Sequence, residues 1–193
     1  MKDVEERTTI NSIFSYERML FRYKYANRFL NKGTILDIGC GFGYGLRYFD
    51  QEKYTGIDYS YQTIEKAKQL YPKAFFFAME VPPLKLPNES FDNVLCLELI
   101  EHIDKKYALD LVNEMYRVLK IGGTLFLTTP NVVNRNVMPT FHNIEYTTDQ
   151  IKNILSRAGF IIEHQGGLWI STYKDRYKKN AFFTLRRKLY SAV

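Results

Sequence analysis

Long apolar runs and cysteines are both scarce in this 193-residue chain, and each shortage argues against a class of protein. No apolar stretch approaches the roughly 18 residues of a membrane-spanning helix, and the first ten residues, MKDVEERTTI, lack the apolar segment of a signal peptide. The two cysteines, Cys40 and Cys96, suit reduced thiols better than a disulfide framework. We therefore expect a cytoplasmic protein.

The positive charge is concentrated at the carboxyl end of the chain. The formal net charge is +6, and residues 173–193 supply all of it, because seven Lys and Arg there face one acid, Asp175. The basic side chains are Lys174, Arg176, Lys178, Lys179, Arg186, Arg187 and Lys188. Interleaved aromatic residues would let residues 174–188 contact an anionic membrane surface or nucleic acid. The simpler interpretation is a solvated terminal helix docked on the domain.

Five short apolar segments, bounded by turn residues, are typical of buried parallel strands. They are residues 34–38, 54–58, 74–79, 93–98 and 124–129. Helical patterns lie between most of them, and the clearest covers residues 105–120 after a possible N-cap at Asp104. No internal repeat interrupts this alternation. It predicts an α/β fold with a doubly wound, mostly parallel sheet.

Both ends of the chain depart from this alternation. Residues 12–30 have the pattern of an amphipathic helix that could lie over the mouth of a ligand site. Near the other end, Thr147 and Gln150 form a possible capping box for a helix through Arg157.

An antiparallel hairpin is predicted to follow this helix and to bring the sheet to seven strands. Residues 160–165 and 168–173 would pair across a turn at Gly166 and Gly167. We predict one domain over residues 1–172 and a basic C-terminal tail over residues 173–193.

The most informative chemistry lies in the segment ILDIGCGFGYG, residues 35–45. A strand ends there in Asp37, and three glycines follow at every second position: Gly39, Gly41 and Gly43. Their bare backbone leaves room for a ligand at the carboxyl end of the strand. The nicotinamide fingerprint G-x-G-x-x-G would need a glycine at position 44, which is absent.

Asp58 ends the next strand, where a carboxylate can accept hydrogen bonds from both ribose hydroxyls. Together these residues predict an adenosine-containing ligand.

Four motifs in order resemble those of class I S-adenosylmethionine-dependent methyltransferases, over roughly residues 20–172. They are ILDIGCGFGYG, GIDYS, LPNESFDNVLCLELIEHI and EMYRVLKIGGTLFLTTPN. The resemblance implies a Rossmann-like fold and S-adenosyl-L-methionine as cofactor. It implies that Gly39 and its neighbours bind the methionine part of the cofactor, Asp58 its ribose and Glu80 its adenine amino group. The full set of implied cofactor-binding residues is Asp37, Gly39, Cys40, Gly41, Gly43, Asp58, Tyr59, Glu80, Val81 and Glu98. Arg22 is interpreted as a surface charge, and the alternative is a pair with the cofactor's carboxylate.

The segment LELIEHID, residues 97–104, follows the fourth strand, and in this family that loop faces the methyl group. A helical turn would bring Glu98, Glu101 and His102 to one side. They are the candidate catalytic residues, with His102 as a general base. The simpler interpretation is a polar lining that orients a hydroxyl.

A divalent metal is the alternative role for the same residues. The ubiquinone-biosynthesis O-methyltransferases and the small-RNA 2'-O-methyltransferases both resemble this chain at Glu-x-x-Glu-His, and in both the motif is associated with a metal. With His142, which matches a further histidine of the RNA enzymes, Glu98, Glu101 and His102 would form a site for Mg²⁺, Mn²⁺, Fe²⁺ or Zn²⁺. His164 is predicted to be structural.

The expected activity is O-methylation of a small-molecule hydroxyl. The first alternative is RNA 2'-O-methylation, with the basic tail binding the phosphate backbone. The second is a cofactor-binding module without catalysis.

Overall fold

The computed structural model describes residues 13–130, 143–169 and 179–187. The helices and strands are α1 (Ile13–Ala26), β1 (Ile35–Ile38), β2 (Tyr54–Asp58), α2 (Tyr61–Leu70), β3 (Phe75–Ala78), β4 (Phe91–Leu97), α3 (Ala108–Val118), β5 (Leu119–Pro130), α4 (Thr148–Arg157), β6 (Phe160–Trp169) and β7 (Lys179–Arg187). Short 3-10 turns lie at Tyr44–Arg47, Gln51–Lys53, Ile100–His102 and Lys105–Tyr107. Within these ranges no helix is both long and apolar enough to cross a bilayer.

The strands form one seven-stranded sheet in the order β3-β2-β1-β4-β5-β7-β6. Strand β1 pairs in parallel with β2 on one side and with β4 on the other. The sheet therefore grows outward from β1 in one direction through β2 and β3, and in the other direction through β4 and β5. Open α/β sheets bind ligands at the carboxyl ends of the two strands where the strand order reverses, here β1 and β4. The predicted doubly wound α/β class is confirmed.

Apolar side chains cover both faces of the sheet. On one face α3 and α4 bury residues such as Leu111, Met115 and Ile151. On the other, α1 and α2 bury Tyr23 and Ile64. Helix α1 thus packs on the same face as the glycine-rich segment after β1, because Cys40 belongs to that second cluster.

Of the two predicted helix caps, one is confirmed and one is wrong, and the structure adds a third cap. Thr147 and Gln150 form the predicted capping box of α4. Ser60 caps α2 by accepting a hydrogen bond from the Thr63 N–H at 3.3 Å. Asp104 does not cap α3, since a 3-10 turn intervenes and the Asp104 side chain makes no capping bond to it.

The predicted turn at Gly166 and Gly167 is wrong, although the antiparallel strands are present. Strand β6 runs through both glycines without a break and pairs with β7. Gly166 lies opposite Phe182, and a Cβ on Gly166 would come within 2.4 Å of that ring. The glycine is therefore explained by the packing of an aromatic ring and not by a reversal of the chain.

The basic tail predicted from residue 173 onward is partly a strand. Residues 179–187 form β7, which lies between β5 and β6, so the sheet extends to Arg187 and a helix is wrong over this stretch. Arg186 is 3.1 Å from Glu163, and Arg187 is 2.8 Å from Glu89. Lys174, Arg176, Lys178 and Lys188 lie outside the described residues.

Candidate active site

The glycine-rich segment after β1 adopts backbone conformations that favour glycine. Gly39, Gly41 and Gly43 have φ values of +79°, +55° and +78°. A Cβ on Gly43 would come within 2.9 Å of the Phe76 ring, so this glycine lets the segment pack on the sheet. Gly39 is exposed, and its nearest neighbour is the Leu99 side chain, 3.3 Å from the position of a Cβ. The loop after β1 and the loop after β4 therefore lie side by side at Gly39.

Asp58 is fixed at the end of β2 by two backbone donors. The Gly41 N–H donates to its Oδ2 at 3.1 Å, and the Ser60 N–H donates to its Oδ1 at 3.0 Å. Carboxylate oxygens have several lone pairs, so these bonds leave capacity for ribose hydroxyls. Two of the residues predicted to bind the cofactor, Gly41 and Asp58, are thus directly hydrogen-bonded.

Asp37 is buried at the end of β1 and receives hydrogen bonds from two phenols. The Tyr23 hydroxyl donates to Asp37 Oδ2 at 2.7 Å, and the Tyr54 hydroxyl donates to the same oxygen. Burial raises the pKa of Asp37 to about 6, while the bonds from Tyr54 and Tyr23 lower it and the charge of Asp58 raises it. Among the described residues, Asp37 Oδ1 has no hydrogen-bond partner.

The remaining predicted cofactor residues differ in accessibility. The Cys40 side chain is fully buried, and a Cβ on Gly56 would lie 2.7 Å from its sulfur, so the side chain packs under the loop. Tyr59 and Glu80 are exposed and Val81 is half-buried. Because Ala78 pairs with Asp58, Glu80 follows β3 at the same edge of the sheet as the predicted ribose site.

Glu98 is paired with Arg22, which is not the surface charge that the sequence suggested. Arg22 Nη2 lies 3.0 Å from Glu98 Oε2, and the two side chains are only 12% and 24% exposed. Glu98 also has a φ of +53°, a left-handed conformation that is uncommon without glycine and is often found at functional sites.

Glu101 is buried near this pair, because the charges of Glu98 and Arg22 both influence its pKa. It is 1% exposed, and its Oε2 accepts a hydrogen bond from the Thr129 hydroxyl at 3.1 Å. Burial raises the pKa of Glu101 well above its ordinary value of 4.5, and the charge of Glu98 raises it further. Burial therefore disfavours the ionised form of this side chain.

His102 is half-buried in the 3-10 turn after β4 and lies beside the segment that precedes α4. The Asn143 side chain donates to the His102 carbonyl at 2.5 Å, and the Asn143 N–H donates to the Glu101 carbonyl at 2.9 Å. His164 is exposed, and its ring packs 5.5 Å from that of Phe29.

The described residues do not assemble the predicted metal site. Between residues 13 and 187, excluding the undescribed segments, no three His, Cys, Asp or Glu are placed to hold a metal ion. The reason is that Glu98 pairs with the Arg22 guanidinium, and Glu101 bonds to Thr129 in the interior. His142, the fourth predicted ligand, lies outside the described residues.

Sequence reasoning missed the partners of the site carboxylates. Arg22, Tyr23 and Tyr54 contact Glu98 and Asp37 from elsewhere in the chain. A buried carboxylate needs hydrogen-bond donors, and this requirement could have pointed to the two phenols. Tyr23 and Tyr54 both occur in segments with a buried apolar pattern.

Comparison with known proteins is consistent with this geometry. A family model described as a methyltransferase domain matches residues 36–127. A probable S-adenosylmethionine-dependent methyltransferase of Mycolicibacterium smegmatis is 29% identical over 142 residues, which cover 70% of this chain and 54% of that protein. A ubiquinone biosynthesis O-methyltransferase of Pseudomonas paraeruginosa is 31% identical over 110 residues, or 53% of this chain and 45% of that protein. The chain spans about half the length of these curated relatives.

Solved structures share the fold at low sequence identity. An S-adenosylmethionine-dependent methyltransferase from Methanosarcina mazei superimposes with a TM-score of 0.72 at 21% identity, covering 86% of this chain and 97% of that one. The cyclase SpnF gives a TM-score of 0.73 at 20% identity, covering 90% and 82%. A cyclase with this fold shows that architecture alone does not determine the reaction. The four motifs in order, the domain match over residues 36–127 and the sheet order agree, and in all three the chain is similar to the class I S-adenosylmethionine-dependent methyltransferases.

Proposed function

We propose that this protein transfers the methyl group of S-adenosylmethionine to a hydroxyl oxygen of a small molecule. The observation that carries the proposal is that a Cβ on Gly39 would lie 3.3 Å from the Leu99 side chain. The acceptor-side segment with Glu98, Glu101 and His102 is therefore next to the cofactor loop. The exposed Gly39 backbone and the two-point attachment of Asp58 fit an adenosine-containing donor. The relative named as a ubiquinone biosynthesis O-methyltransferase supports oxygen as the acceptor atom.

His102 is the proposed general base. S-Adenosylmethionine, when bound, supplies a methyl group on a sulfonium; the C–S bond breaks as the C–O bond forms, and a thioether leaves. The acceptor hydroxyl must lose its proton, and forming a phenolate of pKa about 10 at pH 7 costs about 4 kcal/mol. A positioned base contributes about 10²- to 10⁴-fold. His102 would take this proton, because Glu101 is buried and bonded to Thr129, and Glu98 is paired with Arg22.

A screen of hydroxyl-containing metabolites tests this proposal by following S-adenosylhomocysteine. We expect turnover with at least one phenol or other hydroxyl acceptor, and a rate that falls as a histidine becomes protonated. His102→Ala should lower kcat by about 10²-fold or more while leaving cofactor affinity within a few fold. His164→Ala is the matched control, since that histidine is exposed and packs on Phe29. Equal rates for wild type and His102→Ala would rule out the base.

Nucleic acid and anionic membranes remain proposed partners with less support. Two cations of the predicted tail, Arg186 and Arg187, are engaged with Glu163 and Glu89 in the sheet. A phosphate-binding role would therefore depend on the other five basic residues. Lys179 begins β7, and Lys174, Arg176, Lys178 and Lys188 lie outside the described residues. Binding of single-stranded RNA that weakens steeply with salt would favour this second role.

A further inference from the structure

Strand β3 presents aromatic side chains at an open edge of the sheet. Phe75 is 57% exposed and Phe77 is 46% exposed, and they lie on one side of the strand, because Phe76 between them is buried on the other side under α1 and α2. Within the part of the chain that the structure describes, β2 is the only strand that pairs with β3. Proteins usually protect such an edge with lysine, proline or a bulge. An aromatic edge therefore indicates a surface that another chain covers.

The backbone of β3 directs hydrogen-bonding groups toward this edge at Phe76 and Ala78. The Met79 N–H donates to the Asp58 carbonyl at 2.8 Å, so the backbone of Met79 faces β2. Successive residues of a strand direct their N–H and C=O groups to alternate sides, and Phe77 therefore faces β2 as well. The N–H and C=O groups of Phe76 and Ala78 point away from β2, where a further strand can bond to them.

We propose that two copies of this chain associate through β3, with the two strands antiparallel about a two-fold axis perpendicular to the sheet. Phe76 lies at the axis and exchanges both backbone hydrogen bonds with the partner's Phe76. The Ala78 N–H donates to the carbonyl of the partner's Ala74, and the symmetry repeats this bond. The Ala74 N–H needs no partner across the axis, because it donates to the Tyr71 carbonyl at 3.1 Å. The two sheets become one continuous sheet.

The same register covers the exposed aromatic side chains and matches the charges. Each Phe75 lies opposite the partner's Phe77, and aromatic pairs in this position stabilise antiparallel strands. Lys73 precedes the strand and Glu80 follows it, and both are exposed. An antiparallel copy brings each Lys73 beside the segment that contains the partner's Glu80, whereas a parallel copy would bring like charges together. The edge is therefore complementary to itself.

This arrangement leaves the cofactor loops uncovered. Strand β2 separates β1 from the edge, and the carboxyl ends of the parallel strands point in opposite directions in the two copies. The two loops after β1 thus lie at opposite ends of the joined sheet. A strand of four residues gives a small interface, so we expect weak association, with a Kd of about 1 to about 100 μM.

Sedimentation velocity on the full chain, from about 1 to about 300 μM, tests the proposal. We expect wild type to pass from one copy to two as its concentration rises. Phe77→Lys should weaken association at least about tenfold, because it places a charge at the aromatic contact. Ala78→Pro should have a similar effect, since it removes an outward N–H and no bond to β2. Circular dichroism should show wild-type secondary structure in both variants.

Ile161→Lys is the matched control, because Ile161 is 48% exposed on β6, which is the strand at the opposite edge of the sheet. It should associate like wild type. A wild type that stays monomeric at every concentration would overturn the proposal, and so would folded Phe77→Lys and Ala78→Pro variants that associate like wild type. An equal loss in Ile161→Lys would also overturn the assignment to β3. No cofactor is needed, so the outcome is independent of the proposed function.

Discussion

Arg22 and Glu98 join the N-terminal helix to the loop after β4, with 3.0 Å between guanidinium and carboxylate across 76 positions of sequence. The next residue of the same helix, Tyr23, bonds to Asp37. Strands β1 and β4 are neighbours in the sheet. Two successive residues of α1 thus contact carboxylates at the ends of two adjacent strands, one on the cofactor side and one on the acceptor side.

The Arg22–Glu98 pair should contribute measurably to stability. Arg22→Gln is expected to lower the free energy of unfolding by about 2 kcal/mol, because it leaves the Glu98 charge without its cation. This value lies between the losses typical of exposed ion pairs and those of fully buried ion pairs. The double variant Arg22→Gln with Glu98→Gln should recover part of this loss. Urea denaturation checks both values, and Lys68→Gln, in an exposed pair with Glu65, should cost less than about 1 kcal/mol. Strictly additive losses would contradict the coupling.

Asp37 should make the unliganded protein less stable as pH rises. Its folded pKa of about 6 lies above the ordinary value of 3.8, so the folded state binds the proton more tightly than the unfolded state. The stability from this group is fully present below about pH 4 and is lost as pH rises through about 6, a loss of about 3 kcal/mol. Unfolding followed from about pH 4 to about pH 7 should show this slope reduced in Asp37→Asn. An identical slope in both proteins would mean that Asp37 is not the group responsible.

Much of the fold was predictable because local patterns agree with the final packing. The five apolar segments are strands, and the capping box at Thr147 is present, since each depends on residues close in sequence. The cofactor loop was predictable for the same reason, because Gly39, Gly41 and Gly43 take their left-handed conformations within one short segment.

The errors come from partners that are distant in sequence. Strand β7 was not predicted, because Arg186 and Arg187 have the sequence pattern of a solvated tail. Their partners, Glu163 and Glu89, lie far away in sequence and pair with them only in the folded chain. In the same way, the Arg22 charge is neutralised by Glu98 across 76 positions. Local periodicity carries no information about such pairs.

Gly39 should be required for the cofactor beyond its backbone conformation. Gly39→Ala and Gly122→Ala place alanine at nearly equal φ values, +79° and +75°, so each should lose about 1 kcal/mol of stability. A Cβ on Gly122 meets nothing within 4 Å, whereas a Cβ on Gly39 would lie 3.3 Å from the Leu99 side chain, beside the cofactor loop. Calorimetry should therefore show cofactor affinity at least about tenfold weaker for Gly39→Ala only. Equal affinities in the two variants would show that Gly39 does not face the ligand.

The variant Glu101→Gln distinguishes two roles for Glu101, a structural residue of the interior and a metal ligand. The amide has the size of the acid and can still accept the bond from Thr129, and it removes the cost of ionising a buried group whose pKa lies well above 4.5. We therefore expect this variant to unfold at equal or higher denaturant concentration than wild type near neutral pH, and to keep activity within a few fold. Glu101→Ala is the contrasting variant, since it leaves Thr129 without its acceptor and opens a cavity.

Because Glu98 is paired with Arg22, a chelator should leave the wild-type rate unchanged. If chelation and Glu101→Gln both abolished turnover while cofactor binding persisted, Glu98 would have to leave Arg22 and join Glu101 around a metal ion.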